Sequence, residues 1–265
     1  MAAQFGYRFS AGEFPPAHTD EFREATFEVR DLRGARFVDC DFSGVRAVSG
    51  TFADVELSGW VQHLVVNGVD VTGYVEAELD RRHPERVQLR NLQGPDDFRA
   101  MWATIGTLWA DLADRVAGSP DGTAEARVDG EWSYAQTLRH LIWVTDGWAA
   151  RTILDQERPY HRLGLPQDWF PSSDAGALGI AVDSEPSLEA IVEARTIRMA
   201  QIQDIVDGLS GAELGRAVTR TPGPHYPDEP RTVAECLWVV MEEECDHYRY
   251  AVRDLDRLAA LQAAE

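Results

Sequence analysis

A carboxylate and a histidine interrupt the apolar face of a predicted helix near the carboxyl end of the chain. The segment VVMEEECDHYRYAVRDLDRL, residues 239–258, has helical periodicity, and Glu244 and His247 fall inside its apolar stripe. Glu243 lies beside the stripe, four residues before His247. Residues four apart share one face of an α-helix, so these two side chains are expected to meet. Burying them is costly unless something pairs with them. The pair is a candidate metal-binding site, whereas Glu242 and Asp246 are predicted to be solvated.

A second histidine, His140, lies at the edge of an apolar stripe in an earlier predicted helix, within WSYAQTLRHLIWVTDGW. Two interpretations fit this position. His140 could be a histidine at the edge of the core that is hydrogen-bonded to a carboxylate of the last helix, or it could belong to a metal site with that helix. The residue pattern alone does not choose between them.

Four stretches with helical periodicity must position these side chains. They cover about residues 96–117, 133–155, 187–209 and 231 to the end of the sequence. Ser133, Ser187 and Thr232 are predicted N-caps of the last three helices. Four helices with long connections indicate a helical bundle. The connections 156–186 and 210–230 are long enough to cover a site, and we consider His161, Trp169, His225 and Tyr226 as candidate residues of such a cover.

Two segments resemble the signature helices of the DinB-like superfamily. They are GEWSYAQTLRHLIWVTDGWAARTIL and RTVAECLWVVMEEECDHYRYAVRDL, and the resemblance covers about residues 95–260. That superfamily includes bacillithiol and mycothiol S-transferases and the mycothiol-dependent maleylpyruvate isomerase. The resemblance implies a four-helix bundle with a metal held by one histidine of the second helix and by a pair of ligands on the fourth. His140, Glu243 and His247 match those ligand positions.

The resemblance also implies the chemistry of the site. Two imidazoles and one carboxylate bind a divalent ion and leave positions open, so zinc is expected, with nickel and iron as alternatives. In thiol-dependent members the ion activates a low-molecular-weight thiol such as mycothiol. Glu243 stands where many members have a histidine. Glu244 is a rival ligand, but its partner at the same spacing would be Tyr248, a poor ligand, so Glu243 is preferred.

A different period governs the beginning of the chain. Large apolar residues recur every five positions, which is neither the period of a helix nor that of a simple strand. They are Phe22, Phe27, Leu32, Phe37, Phe42, Phe52 and Leu57, with Ala47 in the same series. This spacing resembles the pentapeptide-repeat family, which implies a short right-handed quadrilateral β-helix. The expected fold class is therefore α+β multidomain: a repeat segment over residues 1–88 and a DinB-like four-helix bundle over residues 89–265.

Composition limits the classes of function. The formal net charge of −20 argues against nucleic-acid binding, which needs a basic surface. No apolar run approaches a membrane span, and the beginning of the sequence lacks a signal-peptide pattern, so a cytoplasmic protein is expected. Three cysteines without a CxxC pair fit a reducing compartment. No nucleotide-binding or nucleophilic-serine motif is present.

The sequence thus favours a metal-dependent enzyme acting on a small molecule, with a thiol-dependent transferase or isomerase first. Two alternatives remain: a metal-dependent hydrolase at the same site, and a non-catalytic stress or binding protein in which Glu243 pairs with the histidines without an ion. Some pentapeptide-repeat proteins imitate DNA and bind topoisomerases, but eight five-residue units are too few to imitate a useful length of duplex. Bundles of this kind often form homodimers, and nothing in the sequence marks an interface.

Overall fold

A computed structural model of the chain describes residues 22–37, 40–59, 61–167 and 170–263. The chain divides into two compact units between Ala77 and Glu78. We call the described residues from 22 to 77 the N-terminal unit, and those from 78 to 263 the helical unit. Residues 1–21 of the predicted repeat segment lie outside the described residues.

The N-terminal unit begins with a backbone that repeats every five residues but shows no β-helix. No strand or helix occurs among the described residues of 22–59. The Phe and Leu side chains of the five-residue series are between 49% and 67% exposed, so the described residues of this segment do not show the β-helix that the repeat implies. The five-residue period is nevertheless present in the backbone as recurring positive φ angles, at Glu24, Val29, Gly34, Gly44, Ser49, Asp54 and Gly59.

A tight hairpin ends this unit. Strands β1 (Val65–Val66) and β2 (Val69–Asp70) pair antiparallel. Asn67 and Gly68 between them both have positive φ, of 50° and 81°. Two successive positive φ angles define the turn that matches the twist of a two-residue hairpin, and Asn-Gly is the preferred pair for it. Helix α1 (Thr72–Arg82) follows and continues into the helical unit.

The helical unit contains four long helices and several short elements. Helix α1 ends at Arg82, and Pro84 occupies the first turn of the next helix, where a missing N–H costs nothing. The further elements are α2 (Pro84–Arg90), α3 (Pro95–Ala117), α4 (Tyr134–Thr145), α5 (Ser172–Ala177), α6 (Leu188–Asp207), α7 (Gly211–Leu214), β3 (Ala217–Val218), β4 (Arg231–Thr232) and α8 (Val233–Gln262). Strands β3 and β4 pair antiparallel just before α8.

The four long helices pack in a ring: α3 contacts α8 and α6, and α4 contacts the same two. Their apolar faces form one core. The three predicted N-caps are confirmed, because Ser133, Ser187 and Thr232 each accept a hydrogen bond from the backbone N–H three residues later. Among the described residues, no helix is both long and apolar enough to cross a membrane.

The second predicted helix is interrupted. The sequence predicts one helix to about residue 155, but α4 ends at Thr145 and a π-helical segment, Asp146–Arg151, follows it. At Gly147 the backbone passes the carbonyl oxygen of Pro222 so closely that an added Cβ would lie 2.9 Å from it. This contact comes from a segment far along the chain, so the local pattern could not show it. Asp146, the first residue of the π-helical segment, is buried beside the loop that follows that segment.

Candidate metal centre

The structure brings together the three residues that the resemblance points to. One donor atom from each of His140, Glu243 and His247 lies within 4.8 Å of the others, the one such group among the described residues. His140 comes from α4 and the other two come from adjacent turns of α8. Glu243 Oε2 lies 3.4 Å from His140 Nε2 and 3.2 Å from His247 Nε2. The predicted ligands therefore share one small volume between two packed helices.

The ring of His140 has a fixed orientation. Its Nδ1 lies 2.9 Å from the carbonyl oxygen of Leu165. A carbonyl oxygen can only accept, so Nδ1 carries the hydrogen and the Nε2 lone pair faces Glu243. The side chain is 1% exposed, and this burial lowers the pKa of His140, with Glu243 opposing the shift. In the neutral form of the ring, which burial favours, Nε2 therefore faces Glu243 without a hydrogen.

Glu243 is an anion at the same point. Burial raises the pKa of this carboxyl, but the neighbouring rings of His140 and His247 outweigh it, and the net effect is a pKa below the ordinary value. A carboxylate oxygen and an imidazole lone pair therefore face one another across 3.4 Å. Two acceptors repel unless a proton or a cation lies between them.

The spacing of the donor atoms suits a metal cation. In a tetrahedral site with bonds of about 2.0–2.1 Å, neighbouring donor atoms are about 3.3–3.4 Å apart. The separations of 3.4 Å and 3.2 Å from Glu243 Oε2 fall close to that length. Charge-assisted hydrogen bonds between imidazole and carboxylate are shorter, about 2.7–2.9 Å. Two nitrogens and one oxygen, with a side chain of Glu243 that is 28% exposed, fit an open-sided divalent metal site.

Two aromatic residues line the histidines. The Trp132 ring lies 4.7 Å from that of His140, and it stacks on that of His247 at 5.9 Å and 17°. Tyr250 meets His247 edge-on at 5.9 Å. Neither aromatic residue was predicted from the sequence to line the histidines. Tyr250 follows His247 by three residues on one helix, a spacing that could have revealed it. Trp132 precedes the N-cap of α4, and no local signal places it over the rings.

Glu244 is not a rival ligand. It is fully buried and forms an ion pair with Arg195 of α6, whose guanidinium also lies 5.9 Å from the centre of the Trp109 ring. Neighbouring positions on a helix point about 100° apart. Glu243 therefore faces α4 while Glu244 faces α6. The preference for Glu243 over Glu244 agrees with this geometry.

Glu242 and Asp246, predicted to be solvated, are only partly exposed, and the side chain of Asp246 is 39% exposed. Burial, followed by the charges of Asp246 and Glu243, raises the pKa of Glu242 to about 8. Burial also raises the pKa of Asp246, and Arg249 and Arg86 lower it. Helix α2, which carries Arg86, packs on α8 and covers this side of it. The periodicity of α8 alone could not show that second covering helix.

The candidate cover residues do not join the three ligands. The His161 backbone N–H donates to Asp146 over 2.7 Å. His225 pairs with Asp174 at 2.5 Å, and Tyr226 packs edge-on against Trp148. Trp169 lies outside the described residues. These contacts hold the loops against the helices. The loop atom that contacts the three-residue site is the carbonyl oxygen of Leu165, which lies against His140.

Comparisons with known proteins give one result. The family profile of the DinB superfamily matches residues 104–251, more than half of the chain. That range includes His140, Glu243 and His247, and also the π-helical segment. No curated protein and no solved structure matches the chain. On the extent of this match, the chain belongs to the DinB superfamily.

Proposed function

We propose that this chain is a metal-dependent enzyme acting on a small molecule, and that His140, Glu243 and His247 hold the metal. The observation that carries the proposal is the pair of 3.2 Å and 3.4 Å separations between a carboxylate oxygen and two imidazole nitrogens, one of them on a ring whose Nδ1 is bonded to a backbone carbonyl. Zinc suits this mixed set of nitrogen and oxygen donors, with nickel and iron as alternatives.

The charge of the three residues favours an anionic ligand at the open side. Two neutral imidazoles and one carboxylate contribute a single negative charge, so a divalent cation there keeps a net positive charge. When bound, such an ion lowers the pKa of a thiol or a water molecule that binds to it. Trp132 and Tyr250 supply apolar surface beside the histidines. This arrangement supports a thiolate as the nucleophile.

Within this class, we propose transfer of a low-molecular-weight thiol, or thiol-assisted isomerisation, as the activity. Membership of the DinB superfamily supports it, together with the resemblance to mycothiol- and bacillithiol-dependent members. The same residues would also suit a hydrolase, because the ion could activate water instead. The two activities differ in one requirement: the hydrolase needs no thiol.

The first experiment measures metal bound to the purified chain by ICP-MS. Wild type, H140A, E243Q and H247A are prepared without chelators and with zinc or nickel added. The matched control is H161A, which removes a histidine outside the group. We expect one ion per chain in the wild type and in H161A, and loss of the ion in the other three. A wild type without metal under these conditions contradicts the proposal.

The second experiment separates the candidate activities. The metal-loaded chain is offered a panel of thiols, including mycothiol and bacillithiol, with small electrophiles, and consumption of both is followed. Turnover that needs a thiol and is lost in E243Q supports the transferase or isomerase. Turnover of an ester or amide without any thiol supports the hydrolase. Metal binding without any turnover favours a binding protein.

A further inference from the structure

Arg139, the residue before His140, is buried and binds backbone carbonyls instead of a carboxylate. Its side chain is 5% exposed. Its Nε donates to Leu163 O over 2.9 Å, and its Nη1 donates to Ser184 O over 2.8 Å. Its Nη2 reaches the carbonyls of Ala181 and Val182 over 3.0 Å and 3.1 Å. One guanidinium therefore joins α4 to two separate segments of the loop between the π-helical segment and α6.

The first of those segments also carries the carbonyl that orients His140. The backbone N–H of Leu165 donates to the carbonyl of Arg139 over 3.1 Å, and the carbonyl of Leu165 accepts from His140 Nδ1 over 2.9 Å. The two loop segments are tied to one another as well, because Ala181 N–H donates to Arg162 O over 2.8 Å. Arg139 thus forms the side-chain link in a short network that ends at the imidazole.

An arginine suits this network better than a lysine does. The guanidinium is planar and presents donors on two sides, so Nε can reach Leu163 while the terminal nitrogens reach residues 181–184. A lysine has one nitrogen and cannot bond both segments in this way. Long loops without such links move readily. The Arg139 side chain therefore ties both loop segments to α4, and one of its bonds lies two residues before the Leu165 carbonyl.

We propose that Arg139 is a positioning residue of the metal centre: it holds the Leu165 carbonyl against His140 Nδ1 and so keeps Nε2 free to bind the metal. The consequence for metal affinity rests on the proposed function. The consequence for the imidazole does not, since the Nδ1–H form of His140 is a property of the metal-free chain. Groups that hydrogen-bond to a ligand histidine and so orient it affect metal affinity by about 10- to 100-fold.

The test uses R139K and R139Q in the full chain. The matched control is R151K, because Arg151 also binds loop carbonyls, at Thr221 over 3.0 Å and at Glu157, but not residues 163–165. NMR of the ring nitrogens in metal-free protein reports which nitrogen of His140 carries the hydrogen, with H140A used for assignment. Competition with a chromophoric chelator gives the zinc dissociation constant, and the Co(II) absorption spectrum reports the ligand geometry.

We expect wild type and R151K to show the Nδ1–H form and equal zinc affinity. Both Arg139 variants should show a mixture of the two neutral forms, an altered Co(II) spectrum and zinc binding about 10- to 100-fold weaker. Folded Arg139 variants with the wild-type His140 spectrum and wild-type zinc affinity overturn the proposal. A wild type that binds no zinc removes the proposed function, while the NMR comparison still decides the role of Arg139.

A second variant covers the case in which neither Arg139 variant folds. Gly164 precedes Leu165, and a Cβ there would lie 3.2 Å from His161 O and 3.6 Å from Trp143 Cβ. G164A must therefore shift the loop beside Leu165 by a few tenths of an ångström without touching Arg139 or His140. We expect the same change in the His140 spectrum with unchanged helical content. An unchanged His140 spectrum in folded G164A overturns the proposal.

Discussion

In the helical unit, the apolar residues that recur at helical spacing are buried, whereas in the N-terminal unit those that recur every five residues are exposed. Leu237 of α8 is 0% exposed, but Leu32 of the five-residue series is 54% exposed. Both patterns predict a backbone period correctly. The two sets of side chains differ in what packs against them. Helices α3, α4, α6 and α8 offer one another apolar faces, whereas the Phe side chains of residues 22–59 meet neighbours of the same series, as Phe37 meets Phe42, and stay about half exposed or more.

A sequence period identifies the residues that share a face, but the burial of those residues depends on what packs against that face. Repeat units bury their faces only against neighbours. If this account is right, similar substitutions in the two units should have very different effects on the unfolding of the helices. Matched substitutions, one in each unit, test that difference in stability.

The largest contrast concerns an ion pair. The side chains of Arg195 and Glu244 are 7% and 0% exposed, whereas those of Arg33 and Asp31 are 91% and 61% exposed. R195A leaves a buried carboxylate without its partner, so the free energy of unfolding should fall by about 3–5 kcal/mol. R33A should leave the unfolding transition unchanged. Urea denaturation followed by far-UV circular dichroism measures both.

A double variant separates the loss of a partner from the loss of packing. Replacing both members of the buried pair, as R195M with E244L, removes the uncompensated charge, so its stability should lie close to that of the wild type. Equal stability losses in R195A and in the double variant would show that packing, not charge, accounts for the effect.

The second contrast is the truncation of a leucine. L237A removes a completely buried side chain and should lower the free energy of unfolding by about 2–5 kcal/mol. L32A removes one that is already half in solvent and should change it by less than about 0.5 kcal/mol. The same urea titrations apply. A large effect of L32A would show that Leu32 is buried in solution and would contradict the exposure of the five-residue series.

Some of these features could be predicted from the sequence, and others could not. The long helices and their caps were predictable, because helical periodicity and Ser or Thr caps are local signals. Glu243 and His247 were predictable as a pair for the same reason. The partial covering of Asp246 was not, because Arg86 of α2 lies near it. The π-helical segment was not, and its close approach to Pro222 at Gly147 comes from a distant part of the chain.

The network around His140 shows the same limit. His140 itself stands out as a polar residue in an apolar stripe, and the family resemblance assigns it a role. Its tautomer depends on the Leu165 carbonyl, which lies 25 residues away in a loop. A backbone carbonyl has no sequence signature. Contacts of this kind become visible only when the fold has brought the loop against the helix.

The third contrast concerns pH. Burial raises the pKa of Asp146 to about 6 from an ordinary value of 3.8, although Arg198 and the His161 N–H oppose the shift. The folded chain therefore holds this proton more tightly than the unfolded chain. The associated stability is present below about pH 4 and is lost as pH rises through about 6, a change of about 2–3 kcal/mol. In D146N this contribution should be absent.

The measurement compares wild type and D146N by urea denaturation at several values from pH 4 to pH 7. The stability of wild type relative to D146N should fall across this window. Asp31, whose pKa is lowered by the Arg33 side chain in an exposed position, supplies the matched control, and D31N should follow the wild type throughout. A wild type that gains stability relative to D146N as pH rises would show that the Arg198 charge outweighs burial at Asp146.

The smallest contrast concerns two side chains that accept a backbone hydrogen bond. Ser133 accepts from Gln136 N–H over 3.2 Å at the start of α4, and Asp41 accepts from Ser43 N–H over 2.8 Å in a turn of the N-terminal unit. S133A should lower the free energy of unfolding by about 1 kcal/mol, as loss of an N-cap usually does. D41A should leave the helical transition unchanged, because the turn is exposed and belongs to the N-terminal unit.

The position of Ser133 gives this last prediction a consequence at the metal centre. Ser133 is 3% exposed and follows Trp132, whose ring stacks on that of His247. Fraying of the first turn of α4 should displace the Trp132 ring, so S133A should also shift tryptophan fluorescence and weaken metal binding several-fold. S133T keeps the hydroxyl and should restore both properties. If S133A loses stability but keeps the fluorescence and metal affinity of the wild type, Trp132 is held over the histidines by contacts other than the cap of α4.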